Sequence, residues 1–178
     1  EAKVSRLQVA VEISKQRRNA KVERVFAPRR VVRAGDEVPV EIALRVADRG
    51  LVTRTEKITV PASCPPGRLR LGIAGGSSAE EVRGRLEISD PKPESLAQMV
   101  DQMVRRPRNS DLVLFTALPT VGLETRGQVF RDLPPAALEA LRAARSTRAR
   151  TLRDHVEQRA ETEWVVSGQA VLTLQVEG

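Results

Sequence analysis

The sequence predicts a mainly β protein, an immunoglobulin-like antiparallel β-sandwich with an α insertion of two helices between its middle and last strands. Three runs in the first half, residues 38–46, 53–60 and 68–74, are each bounded by turn residues. In the first run apolar and polar side chains alternate, which is typical of a strand buried on one face. Its apolar members are Val38, Val40, Ile42, Leu44 and Val46.

Further short strands are predicted on both sides of this centre, at the spacing expected of a sandwich. They are residues 6–14, 20–27, 31–32, 162–167 and 170–176. The first two form a candidate hairpin, in which Val22 and Phe26 share one face. The last two meet at Gly168, which is expected to mark a bulge or a bend.

Between these strands the hydrophobic period changes to that of a helix. Residues 94–106 carry apolar side chains at i, i+3, i+4, i+7 and i+8, which we call the apolar stripe: Leu96, Met99, Val100, Met103 and Val104. Ser95 and Gln98 have the spacing of a capping box, and Pro107 ends the helix. The stripe is expected to pack in the core, and the alternative is an adaptable methionine-rich binding groove.

The insertion also contains a strand and a second helix. Residues 111–118 are almost continuously apolar, which predicts a central strand buried on both faces. Residues 136–144 predict a helix opened by two prolines. The charged residues 145–161 read as a further amphipathic helix, with Leu152 and Val156 four apart, or as a disordered arm.

The predicted organisation therefore has three parts, forming one or two compact units. Sandwich strands occupy residues 1–90, the insertion with its central strand and Arg-rich segment occupies 91–160, and the closing strands occupy 161–178.

Composition excludes several kinds of site. Among 178 residues there are only one cysteine and one histidine, so an intrachain disulfide, a thiolate cluster or an ordinary zinc site cannot form. Cys64 lies in a Pro/Gly turn and is expected to be partly exposed. No apolar run reaches the length of about 18 residues that a spanning helix needs.

No catalytic constellation, metal site or cofactor site is predicted. His155 is interpreted as a surface residue, since no serine lies in a nucleophile elbow. The glycines of residues 72–76 only loosely resemble a phosphate-binding loop, because the Lys-Ser/Thr pair of such a loop is missing. We therefore expect that this chain is not an enzyme.

A basic tract at residues 142–159 offers a second hypothesis, because the chain carries a net charge of +7. Clustered guanidinium groups could bind a polyanion such as nucleic acid. The candidate residues are Arg142, Arg145, Arg148, Arg150 and Arg153. Nucleic acid is disfavoured, since no aromatic side chains are interleaved with the tract and no recognition motif is present.

Several short motifs resemble one family. They are Ala-Gly-Asp at 34–36, V-P-A-x-x-P-P-G at 60–67, S-L-x-Q-M at 95–99 and V-S-G-x-A at 166–170. With them, residues 6–176 resemble the C-terminal, non-peptidase region of bacterial secreted proteins that carry a stage IV sporulation protein B-type serine peptidase domain. Ala34 replaces the proline usual in the Pro-Gly-Asp turn of that family.

The resemblance implies an extracytoplasmic, non-catalytic scaffold or protein-interaction module that accompanies a peptidase domain. The catalytic residues of the family belong to the peptidase domain, and none of them matches a position here. The partner implied is that adjoining domain or another protein. The sequence leaves the oligomeric state open.

Overall fold

The computed structural model describes residues 17–88, 95–125, 128–130 and 150–178, together with positions 6, 8–11, 13, 15, 93, 136, 139 and 140. The strands are β1 (Asn19–Phe26), β2 (Val31–Arg33), β3 (Glu37–Val46), β4 (Gly50–Thr59), β5 (Gly67–Gly75), β6 (Asp111–Thr125), β7 (Gln128–Phe130), β8 (Arg150–Glu161), β9 (Val165–Ser167) and β10 (Gln169–Glu177). The helices are α1 (Ala79–Arg85) and α2 (Leu96–Val104), and a 3-10 turn, Gly76–Ser78, precedes α1.

Two sheets enclose the main core. The first has the strand order β4-β3-β1-β9. The second runs β2-β10-β5-β6, and β6 then pairs with β8 along its length and with β7 near its end. Buried aliphatic side chains from both sheets, such as Ile42 and Leu71, meet in one cluster between them. The expectation of a mainly β, sandwich-like protein is confirmed.

The expectation that the sheets are wholly antiparallel is wrong, because both are mixed. β1 pairs in parallel with β9, and β2 pairs in parallel with β10. β1 and β9 belong to the first sheet, and the strands that follow them, β2 and β10, belong to the second. The last strands of the chain therefore run alongside the first ones in both sheets. The second crossing occurs at Gly168, whose φ of 77° is a conformation that glycine adopts without strain. The predicted bend at this glycine is confirmed.

The prediction of a doubly buried central strand at residues 111–118 is also confirmed. β6 lies between β5 and β8. Leu112 and Leu114 enter the main core between the sheets. Val113 and Phe115 point the opposite way, into a smaller cluster with Val82 and Leu86 from α1 and the turn after it. Alternating side chains of one strand therefore hold the sandwich and α1 together.

The start of the chain departs from the prediction. The described positions within residues 6–14 belong to no strand, and Val9, Val11 and Ile13 are exposed. β3 pairs along one edge of β1, and β9 pairs with Asn19–Lys21 at the other edge, where the predicted hairpin would begin. A register shift between Val22 and Arg24 also turns Val25 toward the core and leaves Phe26 exposed.

The helical insertion is partly confirmed. α2 forms where it was predicted, and Ser95 Oγ accepts a hydrogen bond from Gln98 N at 3.2 Å. Of the second predicted helix, 136–144, only positions 136, 139 and 140 are described, and these are helical. The alternatives of a helix or a disordered arm are both wrong for residues 150–161, which form β8. Every backbone position from 155 to 161 pairs with β6.

Candidate functional site

The predicted polyanion site is only partly described. Arg142, Arg145 and Arg148 lie outside the described residues. Arg150 is the first residue of β8, and its backbone pairs with Glu124 of β6. Arg153, also in β8, directs its guanidinium inward: Nη2 donates to Glu87 Oε2 at 2.8 Å and Nη1 to the Leu118 carbonyl at 3.4 Å. Arg153 is thus engaged within the fold and is poorly placed to meet phosphate groups.

A polar cleft of about 450 Å³ lies between α1, the end of α2 and β8, and we call it the α2 cleft. Glu80 and Arg83 line it from α1, and Asp101, Gln102, Arg105, Arg106 and Pro107 from α2 and the turn after it. His155, Glu157 and Arg159 complete it from β8. These three alternate residues share one face of the strand, so forming β8 as a strand brings them together.

The floor of the α2 cleft is a buried ion pair. Arg83 is only 7% exposed, and its Nη1 lies 3.2 Å from Glu157 Oε2. The carbon of its guanidinium lies 5.6 Å from the centre of the Phe115 ring, within the range of a cation–π contact. Glu157 also accepts a hydrogen bond of 2.6 Å from Arg159 Nε. Two guanidinium groups therefore share one carboxylate.

The ion pair between Glu157 and Arg83 joins α1 to β8. His155 also lines the α2 cleft, but no serine, threonine or cysteine is among the described residues that line it. The described lining of the α2 cleft therefore supplies no hydroxyl or thiol nucleophile for acyl transfer. No group of three or more His, Cys, Asp or Glu side chains in the described part of the chain is arranged to hold a metal ion.

Cys64 is buried, which corrects the expectation of a partly exposed thiol. The turn that carries it packs against the end of the sandwich, so Cys64 joins the main core cluster. Removal from water disfavours the thiolate and raises the pKa of Cys64 above its ordinary value. A neutral, enclosed thiol is a weak nucleophile.

The glycines of residues 72–76 serve close packing. A side chain at Gly72 would collide with Val82 and Leu86, and one at Gly75 would collide with the backbone of Val166. The stretch therefore brings α1 and β9 close to β5. The glycines lie in the second half of β5 and in the 3-10 turn that follows it.

The apolar stripe of α2 faces away from the body of the protein, and the expectation that it packs in the core is wrong. Its five side chains are between 48% and 78% exposed, and no residue of α2 is buried. The least exposed residue of the helix is the polar Gln102, which lines the α2 cleft. The amphipathic helix thus turns its polar side inward and its apolar side to solvent.

One hydrogen bond links the C-terminal end of α2 to β8. Arg159 Nη2 of β8 donates to the carbonyl oxygen of Arg105, the residue that caps the C-terminus of α2. The side chain of Arg105 in turn pairs with Asp101 one turn earlier, at 2.9 Å. Asp101 and Arg105 occupy the side of the helix opposite the apolar stripe. The sequence signal for the stripe was clear, but its periodicity could not distinguish a buried face from an exposed one.

Within the described part of the chain, no helix has the length and apolar character needed to cross a membrane. Comparison with protein-family models, with curated proteins and with solved structures gave no match to this chain.

Proposed function

We propose that this chain is a non-catalytic scaffold and protein-interaction module of a secreted bacterial protein, in which it accompanies a serine peptidase domain. The observation that carries this proposal is the outward apolar stripe of α2. Leu96, Met99, Val100, Met103 and Val104 expose surface that water solvates poorly, and contiguous patches of this kind mark interaction sites. The peptidase domain is proposed as the partner because the sequence motifs resemble those of a family in which such a domain adjoins this region.

The character of the sandwich supports an immunoglobulin-like module. Two sheets share one aliphatic core, and consecutive strands divide between them at both ends of the described chain. In such a fold the sheets act as a rigid frame, and the elements added at the side carry the interaction. Here α1 is bonded to the frame through Phe115 and the Arg83–Glu157 pair, and α2 lies beyond it.

The surroundings of the reactive side chains support a non-catalytic role. Cys64 is enclosed in the core. Glu157, the carboxylate on the floor of the α2 cleft, is engaged in ion pairs with Arg83 and Arg159. The α2 cleft is therefore best explained as the polar seat of the helix.

The test is a binding measurement between this chain and the peptidase domain, each expressed separately. A covalent link supplies an effective concentration of about millimolar, so a dissociation constant of about 10–100 µM in trans is sufficient for a stable contact. Isothermal titration calorimetry measures this constant directly. The absence of heat at the highest soluble concentrations would refute the proposal.

A second measurement addresses the non-catalytic role. Peptidase and esterase substrates are expected to remain unhydrolysed by the isolated chain. Turnover that disappears in a His155→Ala variant would show that the chain is an enzyme in its own right.

A further inference from the structure

We propose that α2 is the docking element itself: its apolar stripe inserts into an apolar groove of the partner protein, with an acidic group of the groove meeting Arg106. This inference rests on the proposed function and specifies which surface binds and what chemistry receives it. It follows from the orientation of the helix, the size of the stripe and the charges that border it.

The orientation of α2 directs the stripe away from the described part of the chain. The polar side of the helix is seated on β8, where Arg159 donates to the Arg105 carbonyl and Gln102 lines the α2 cleft. Turning the stripe inward would break the Arg159 contact and place apolar side chains against the charged cleft floor of Arg83 and Glu157. The helix is therefore presented with its apolar side outward.

The size of the stripe favours a groove over a second copy of the chain. Its exposed fractions amount to about three fully exposed side chains, on the order of 400 Å² of apolar surface. Two copies meeting stripe to stripe would bury about 800 Å² in total, less than the roughly 1,200 Å² of a stable specific interface. A concave partner surface contacts the flanks of the helix as well and so gains area without a longer helix.

The spacing within the stripe fits recognition of a helix by a groove. Leu96, Met99, Val100 and Met103 stand at i, i+3, i+4 and i+7, the anchor positions of helices that bind in apolar grooves. Flexible methionine side chains adapt to the shape of a receiving pocket. A lipid surface fits less well, since α2 contains no lysine and no aromatic residue and spans only nine residues.

The charge at the end of the stripe defines the rim of the groove. Arg106 follows Met103 by three residues, and its backbone N–H donates to the Met103 carbonyl, so the last turn continues past the stripe. Arg106 also lines the α2 cleft, but it is exposed and forms no ion pair with an acidic residue in the described part of the chain. Asp101, by contrast, is neutralised by Arg105. A carboxylate on the partner is the complementary group for Arg106.

The sequence provides a selective probe, because Met99 and Met103 are its only methionines. The full chain is labelled with photoreactive methionine, mixed with the separately expressed peptidase domain and irradiated. We expect adducts from both positions, mapped by mass spectrometry to one apolar region of the peptidase domain. Excess unlabelled chain should suppress these adducts.

Calorimetry with charged variants gives an independent measurement. Met99→Asp with Met103→Asp is expected to weaken binding at least about tenfold, and Arg106→Glu severalfold. Leu51→Asp is the matched control, because Leu51 is an equally exposed aliphatic residue, 55% accessible, on β4. It should leave the dissociation constant unchanged, and circular dichroism should show that all variants retain the native fold.

The outcomes separate this inference from the proposed function. If the peptidase domain binds but neither the adducts nor the loss of affinity involves α2, the docking assignment is wrong while the proposed function stands. If the domain does not bind at all, the docking assignment and the proposed function are both wrong. Adducts between copies of the chain would show that the stripe binds a second copy. Adducts to vesicles of phosphatidylcholine and phosphatidylglycerol, used in place of the domain, would show that it binds lipid. Either result would refute docking into a protein groove.

Discussion

Replacing Met103 by alanine is expected to change the stability of the protein little, although Met103 belongs to the strongest apolar pattern in the insertion. The reference is Phe115→Ala, which removes a side chain of comparable apolar character from the centre of β6. Met103 is 62% exposed and Phe115 is 0% exposed. The two variants therefore compare the outward side of α2 with the cluster beneath α1.

The magnitudes follow from burial. Full burial of a methionine side chain contributes about 1.5–3 kcal/mol, so a residue that keeps more than half of its surface in water loses at most about 1 kcal/mol. Its removal leaves no enclosed cavity, and alanine has the higher helix propensity, which offsets part of the loss. Phe115→Ala, in contrast, loses the transfer energy, leaves a cavity and removes the ring beneath Arg83, at about 3–5 kcal/mol.

Urea denaturation followed by circular dichroism measures both free energies of unfolding. We expect Met103→Ala to lie within about 1 kcal/mol of the parent chain and Phe115→Ala to lie several kcal/mol below it. A loss of about 2 kcal/mol or more for Met103→Ala would refute the reasoning, because only a buried methionine produces a loss of that size. The orientation of α2 and the docking inference would then both be wrong.

Three further predictions concern single side chains. Cys64 should react with a thiol reagent slowly in the native protein and rapidly in urea, because it is buried and its pKa is raised by removal from water; equally fast reaction in both would contradict this. The hydrogen bond from Arg45 lowers the pKa of Glu23, so the stabilisation is present above the unfolded-state pKa of the carboxyl and is lost as the pH falls through the lowered value. NMR titration of Glu23 in Arg45→Gln should show the pKa returning upward, and an unchanged pKa would exclude Arg45 as the cause. Arg83→Met should cost about 2–4 kcal/mol in urea denaturation, since it breaks a buried ion pair while Arg159 still holds Glu157, and a loss below about 1 kcal/mol would mean that the pair is solvated.

Strands with a strong local pattern were the predictable part of the fold. β3 begins and ends within one residue of the prediction, because one face lies on the core and the other, apart from the buried Ala43, is exposed or half-buried. The first half of β6 was predicted as buried on both faces, since an almost continuous run of apolar residues leaves no side for solvent. Both cases depend on a property of a single strand.

β8 shows where that reasoning fails. Its sequence is highly charged, and Leu152 and Val156 happen to stand at helical spacing. It is a strand because the free edge of β6 offers backbone partners along most of its length. The charged side chains are then satisfied by groups distant in sequence, such as Arg83 and Glu87. Local periodicity contains no information about these partners.

The candidate site was half predictable for the same reason. The apolar stripe was recognised residue by residue from its helical spacing, and Ser95 was recognised as its cap. The exposure of the stripe was not predicted, because an amphipathic pattern shows that two faces of a helix differ but not which face packs against the protein. The Arg-rich segment was noticed as charge, but the role of Arg153 and Arg159 in binding Glu87 and Glu157 depends on the position of β8.

By itself the sequence determined the mainly β class, the capped helix α2, the central strand β6, the bend at Gly168 and the lack of the cysteines and histidines that disulfides and zinc sites need. These follow from local stereochemistry, from hydrophobic period and from composition. The tertiary structure alone decided the parallel pairing of the terminal strands, the strand character of β8 and the direction of the apolar stripe. Each of these depends on which surface lies next to an element, since pairing and burial are energies of contact between residues far apart in the chain.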